Sequence, residues 1–334
     1  MERQLFKYHP VIGYTFIPNI KARVNHEGGG YLIHANSNGF RCKHEFIKEK
    51  KKNTFRILFF GDSFTAGDGV SDGFRYTDLL ENDLEDTEIF NFGLSGTGVD
   101  QQYLIFKEFA KDLDYDLVVI CPMLENIKRN IVRFRPHVSH TGNNLFMQKP
   151  YFKINKIDDI ELKNIPVPKK SITLEHLPKS EKNKLSGSML GINGGNNLLR
   201  IFVKMLSRKQ KDFVQKIIKH DPIKSYNSTS NSDWILMKAI LNKWITEIKT
   251  NIILCPLPIY HYVEEFCSPN SYLERFNELN KPPRIIFHNI LPTLLEYSLS
   301  DRRSFRFKND AHPTKEGHKA YAQSLIKIIK YPTR

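Results

Sequence analysis

Phe55-Arg-Ile-Leu-Phe-Phe60-Gly61-Asp62-Ser63-Phe64-Thr65 decides how the rest of the chain is read. The run to Phe60 is short, apolar and rich in β-preferring side chains, and Gly61 closes it, so it predicts a buried strand ending in a turn. A glycine there lets the chain turn sharply and admits a ligand close to the backbone. In open α/β sheets, ligands and reacting groups gather at the C-terminal edge of the strands. A serine just past that edge, at Ser63, is therefore a candidate reacting group.

Outward from this strand, the spacing of Leu79, Leu80 and Leu84 predicts a helix over Phe74–Leu84. A second strand is expected at Glu88–Phe92, a helix at Val99–Leu113 and a third strand at Leu117–Cys121. Fully apolar strands alternating with helices imply a parallel sheet covered on both faces. The rhythm resumes with a helix at Ile235–Ile248, a strand at Asn251–Cys255 and a helix at Lys315–Ile329. Between them, Pro150, Pro166, Pro168 and Pro178 punctuate a basic, Asn- and Gly-containing stretch with one expected helix near Leu198–Ile218. The resulting division is a β-rich or irregular N-terminal extension (1–53), an α/β core (54–135 and 233–334) and an insertion (136–232). The insertion is read as a lid or a substrate or partner surface.

The length of 334 residues suits one large domain with such an insertion. With 40% hydrophobic residues and a mean hydropathy of −0.43, the chain has material for a core. It has no apolar run long enough to span a membrane and no secretory leader at its start, so a cytoplasmic location is expected. Cys42, Cys121, Cys255 and Cys267 form no Cys-x-x-Cys pair. Cys121 and Cys255 sit in strand-like runs as buried thiols, which suits a reducing compartment and argues against a zinc site. The net charge of +14 favours acidic partners such as anionic glycans, nucleotides or lipid head groups. No nucleic-acid-binding motif accompanies the charge, so nucleic acid is not expected as a partner.

Three further features bear on chemistry. Asp310-Ala-His312-Pro313 could deliver a base and its orienting acceptor from one loop, and a serine hydroxyl needs both. Phe92-Gly93-Leu94-Ser95-Gly96-Thr97-Gly98 follows the second strand and can present backbone N–H groups to an oxyanion. Asn126 follows the third strand and could donate from its side-chain amide. The loops after the first, second and third strands, carrying Ser63, Gly96 and Asn126, then lie on one edge of the sheet.

Together these blocks resemble the SGNH hydrolases, the GDSL esterase/lipase superfamily. Gly61-Asp62-Ser63 matches the first block, Gly96 the second, Asn126 the third, and Asp310-Ala-His312-Pro with Gly317-His318 the fifth. Leu124 and Ile127 stand where the third block usually has Gly and a final Asp. Asn309 stands at the commoner position of the acid, three before the histidine. Gly13-Tyr14, Pro18-Asn19 and Asn36-Ser-Asn-Gly-Phe-Arg41 are similar to a bacterial subgroup that acts in polysaccharide or metabolite acylation. The resemblance implies a flavodoxin-like three-layer α/β/α sandwich. It implies Ser63 as nucleophile, His312 as general base and acid, and Asp310 as orienting carboxylate. The oxyanion hole would be the Ser63 and Gly96 N–H groups with the Asn126 side chain.

The expectation is a serine esterase or deacylase acting on an O-acyl ester, an O-acetylated and even acidic glycan among the candidates, with no cofactor and no metal. An O-acyltransferase would use the same triad with a sugar hydroxyl in place of water. A catalytically silent carbohydrate-binding protein on the same scaffold is a third class, which an intact Ser63, Asp310 and His312 argue against. The nucleophile lacks the Gly-x-Ser-x-Gly elbow of α/β-hydrolases, and no His-Glu-x-x-His cluster suggests metal hydrolysis.

Overall fold

The structure is a computed structural model describing residues 4–138, 144–156, 159–185 and 221–329. Four short N-terminal strands come first, β1 (Phe6–His9), β2 (Gly13–Phe16), β3 (Lys21–Val24) and β4 (Tyr31–His34). They form two antiparallel hairpins, β1–β2 and β3–β4. The core strands are β5 (Phe55–Gly61), β6 (Thr87–Asn91) and β7 (Leu117–Cys121). Between them and the rest of the core strands come β8 (Phe134–Val138), β9 (Asn144–Gln148), β10 (Tyr151–Lys156), β11 (Asp159–Lys163) and β12 (Ser171–Thr173), in the stretch read as an insertion. The core resumes with β13 (Asn251–Leu254) and β14 (Ile285–Phe287).

The five core strands make one sheet in the order β14-β13-β7-β5-β6, with every neighbouring pair parallel. Numbered within the core this is the flavodoxin-like order 2-1-3-4-5, whose switch point lies between β5 and β7. Alternation along β5 shows why both faces must be covered. Phe59 meets Tyr76 on one face, and Phe60 meets Phe92, Phe106 and Trp244 on the other. The helices Tyr76–Asp83 and Lys315–Ile329 pack together on one side of the sheet. Val99–Ile105, Asn126–Asn130 and Ser232–Glu247 pack together on the other. The result is the three-layer α/β/α sandwich expected.

Arg56, the charged residue inside the first core strand, is fully buried because its guanidinium is satisfied. It donates to Glu88 at 2.7 Å and to the carbonyls of Ile47, Lys48, Glu49 and Asp114. The N-terminal motif residues also have work to do. Asn36 Oδ1 accepts from the Asn38 and Phe40 N–H groups, turning the chain so that Phe40 enters the core. Buried Arg41 then reaches the Gly67 and Val70 carbonyls and the Asp72 carboxylate, fixing the loop after Ser63.

Several elements differ from their sequence reading. The helix expected over Val99–Leu113 is α-helical only to Ile105 and continues as a π-turn over Phe106–Ala110. The extra residue in that turn keeps Phe106 buried while Phe109 packs on Phe40 at 5.0 Å. The strand β8 starts at Phe134, two residues before the expected start of the insertion. It joins β9 and β12 in an antiparallel sheet, while the β10–β11 hairpin lays Phe152 on Tyr103. The helix expected near Leu198–Ile218 lies outside the described residues. The described part of the C-terminal helix, Lys315–Ile329, has the expected bounds. Cys42, Cys121, Cys255 and Cys267 are all free. No described helix is long and apolar enough to cross a membrane.

Candidate active site

β5 delivers Ser63 to the switch point of the sheet. Asp62 caps the short helix Ser63–Ala66, its Oδ1 accepting the Phe64 N–H at 3.0 Å. The cap holds Ser63 as the first helical residue, almost wholly buried. Its Oγ lies 2.8 Å from His312 Nε2. His312 Nδ1 lies 2.6 Å from Asp310 Oδ1, which also accepts the His312 backbone N–H at 3.0 Å. Since the carboxylate can only accept, Nδ1 carries the proton and Nε2 is left to accept from the serine hydroxyl. The structure thus brings Ser63, His312 and Asp310 into one hydrogen-bonded chain.

The chain extends one member further. Asp310 Oδ2 accepts from His26 Nε2 at 3.1 Å, and His26 Nδ1 accepts the Gly28 N–H at 3.3 Å. That second bond fixes the tautomer which donates to Asp310. Glu27 meanwhile accepts the backbone and side-chain N–H groups of Asn309. The turn between β3 and β4 therefore grips the Asp310–His312 loop from outside.

The charges follow this geometry. Burial alone would raise the Asp310 pKa, but the hydrogen bond and charge of His312, with the bond from His26, pull it well below the usual carboxylate range. Burial would lower His312, but the Asp310 bond and the negative charges of Asp68, Asp310 and Asp62 win and raise it. Asp68, five residues past Ser63, accepts from Ser95 Oγ at 2.8 Å and is itself raised by burial.

Gly96 has φ +80°, a left-handed conformation. A Cβ on it would meet an Arg135 guanidinium nitrogen at 3.1 Å and the Tyr14 hydroxyl at 3.3 Å. Neither the Ser63 nor the Gly96 backbone N–H has an acceptor among the described residues. Asn126 opens the helix Asn126–Asn130 and is fully buried. Its Nδ2 donates to Asp62 Oδ2 at 2.8 Å, and its Oδ1 accepts from Gln102 at 2.8 Å. One of its two N–H groups is thus committed to Asp62, whose Oδ2 also accepts from Arg129 at 2.7 Å.

His318, the last residue of the fifth block, lies apart from this chemistry. It is buried, its Nδ1 accepts the Tyr76 N–H at 3.2 Å, and burial pushes its pKa down to about 3. It is a neutral strut between the helices Tyr76–Asp83 and Lys315–Ile329.

His26, Asp68 and Arg135 have no counterpart among the site residues read from the sequence, and Tyr14 entered that reading only through the Gly13-Tyr14 resemblance. His26 stands in a Gly-rich turn, and its partner is 284 residues away. Asp68 sits between two glycines in a loop. Only the distance of Asp68 from Ser63 offered a signal. Among the described residues no group of three His, Cys, Asp or Glu side chains could hold a metal ion.

A small recess opens beside Phe64, the residue after the serine, with Arg302 and Arg306 also in its wall. Phe64, Pro258, Val263, Phe305, Ala311 and Pro313 border about 20 Å³. That is room for little more than one water-sized group.

The family model described as GDSL-like Lipase/Acylhydrolase matches residues 57–325. No curated protein matches the chain. Among solved structures, it is similar to a lipolytic protein of the G-D-S-L family from Veillonella parvula, at 12% identity and TM-score 0.41, covering 83% of this chain and 99% of that one. It is similar to a lipase/acylhydrolase from Enterococcus faecalis, at 14% identity and TM-score 0.42, covering 83% and 96%. An acetyl xylan esterase, AlAXEase, matches at 13% identity and TM-score 0.43, covering 82% and 100%. Likeness at this level carries no information about substrate.

Proposed function

This chain belongs to the GDSL-like lipase/acylhydrolase family, and on that footing we propose that it hydrolyses an O-acyl ester through Ser63, His312 and Asp310. The observation that carries the reading is the unbroken hydrogen-bonded chain from Ser63 Oγ through His312 to Asp310. Ser63 Oγ attacks the acyl carbonyl while its proton passes to His312 Nε2, and Asp310 stabilises the imidazolium that forms. The backbone N–H groups of Ser63 and Gly96, with the remaining N–H of Asn126, receive the oxyanion. The carbonyl then re-forms, the alcohol leaves with the proton from His312, and an acyl-serine remains. Water attacks that ester, again losing its proton to His312, and the carboxylic acid departs from the regenerated serine.

The 20 Å³ recess beside Phe64 supports a short acyl group such as acetyl over a long chain. The His312 and Asp310 side chains remain 26% and 35% exposed, which favours water over a sugar hydroxyl as acceptor. The substrate class is an O-acetylated glycan or glycoconjugate, and the 136–232 insertion shapes its selection.

The test is labelling with a fluorophosphonate and location of the adduct by mass spectrometry. The adduct is expected on Ser63, and Ser63→Ala should lose it together with several orders of magnitude in ester turnover. A Ser63→Ala chain that labels equally, or turns over near the wild-type rate, removes the assignment.

A further inference from the structure

Arg135 is an arginine without a counter-charge among the described residues. Other buried arginines of this chain are tied down: Arg41 to Asp72, Arg56 to Glu88, Arg75 to Asp78. Half-buried Arg135 makes no ion pair and no side-chain hydrogen bond with any described residue. Its guanidinium carbon instead stands 3.6 Å from the Tyr14 ring centroid, a cation–π contact. Tyr14 is held in that pose by donating to the Ser95 carbonyl at 2.6 Å. Burial pushes the Arg135 pKa down to about 9, which leaves it protonated at neutral pH. Keeping a cation partly out of water without a partner is costly unless a ligand supplies the missing charge.

A cavity opens at this point. Gly96, Arg129, Val132, Phe134, Arg135 and Lys149 border about 290 Å³, near the lower end of the range for small-molecule pockets. Two of its three cations are already neutralised, Arg129 by Asp62 and Lys149 by Asp100. One positive charge is left over, on a planar fork suited to a carboxylate. Three distant segments build the spot: the N-terminal extension gives Tyr14, the core gives Gly96 and the insertion gives Arg135.

We infer that this cavity is a subsite for a carboxylate on the alcohol part of the substrate, with Arg135 gripping both oxygens. The inference rests on the ester-hydrolase reading, because Gly96 is the point where the oxyanion and the cavity meet. The acyl group enters the small recess beside Phe64. The sugar that bears the ester lies in the larger cavity, so the substrate class narrows to an acylated acidic sugar of the uronic type.

The test compares two probes that differ only in charge, galacturonate and its uncharged primary amide, galacturonamide. Binding of each to the full-length Ser63→Ala chain is measured by titration calorimetry, so no turnover is needed. Galacturonate is expected to bind at least tenfold more tightly. Arg135→Gln should abolish the difference, and Arg135→Lys, which keeps the charge but not the fork, should retain part of it. Circular dichroism melting confirms that each variant is folded. Equal binding of the two probes, no binding of either, or a difference that survives Arg135→Gln overturns the inference. The fluorophosphonate experiment separates the two readings. A labelled Ser63 without charge discrimination leaves the hydrolase and removes the subsite. Charge discrimination without labelling leaves a carboxylate-binding cavity and removes both the hydrolase and the cavity's role as a subsite for its ester.

Discussion

Asp310 uses both carboxylate oxygens, one on each of two histidines from opposite ends of the chain. In the proposed reaction it holds His312 in the productive tautomer, so Asp310→Asn should cost about 10⁴ in turnover with a near-native melting temperature. If Asp310 only stabilised the loop, melting would fall and turnover of the folded fraction would persist. His26 is a positioning residue acting through Asp310. A hydrogen bond to a charged group is worth about 1.5–3 kcal/mol, so His26→Ala should lower kcat by roughly ten- to a hundredfold with KM little changed. His26→Gln, which restores an N–H donor, should recover part of the loss, and equal loss in both variants would make His26 a packing residue only. The reaction needs neutral His312. Because its pKa is raised, kcat/KM should increase with pH along a limb centred above the ordinary histidine value of about 6.5. Asp68→Asn removes a negative charge that favours the imidazolium, so the limb should move to lower pH. A pH–rate profile with an unmoved midpoint would exclude Asp68 from tuning the base. At this scale the sequence made Ser63, Gly96, Asn126, Asp310 and His312 legible, because each stands in a short block with its own spacing. His26 and Arg135 were not legible, since a single residue in a turn or an edge strand carries no periodicity and each acts on a distant segment.

Among elements, the strands that read clearly are those buried on both faces, β5 and β7, whose apolar runs leave little ambiguity. The stretch between Pro256 and Asp310 was unreadable for the opposite reason. It contains helices of four to eight residues and the three-residue strand β14, all too short to establish a period. The π-turn at Phe106–Ala110 was equally hidden, because one inserted residue shifts the helical phase without altering composition. The loop from Gly67 to Asp72, which follows the nucleophile helix, has little regular structure and depends on Arg41 from the N-terminal extension. Arg41→Met would strand two carbonyls and a carboxylate. Loss of one partner from a buried ionic contact costs about 3–5 kcal/mol. Urea unfolding should show a loss of that size, and a change below about 1 kcal/mol would mean that the loop holds itself.

For the whole molecule, a parallel sheet covered on both faces followed from the alternation of apolar strands and amphipathic helices, and the flavodoxin-like sandwich from the family resemblance. Beyond reach was the way the N-terminal hairpins fold back on the core, because those contacts obey no local pattern. That return path has a consequence for biosynthesis. Ser63 and His312 are 249 residues apart. At about 5–20 residues per second, a ribosome that has made Ser63 needs roughly 12–50 s more to reach His312. His26 and Ser63 wait throughout that interval for the loop that joins them. In the proposed reaction the serine emerges as an ordinary alcohol and acquires its base only when synthesis reaches the far side of the sheet, so a growing chain would carry no hydrolytic activity into the cell that makes it.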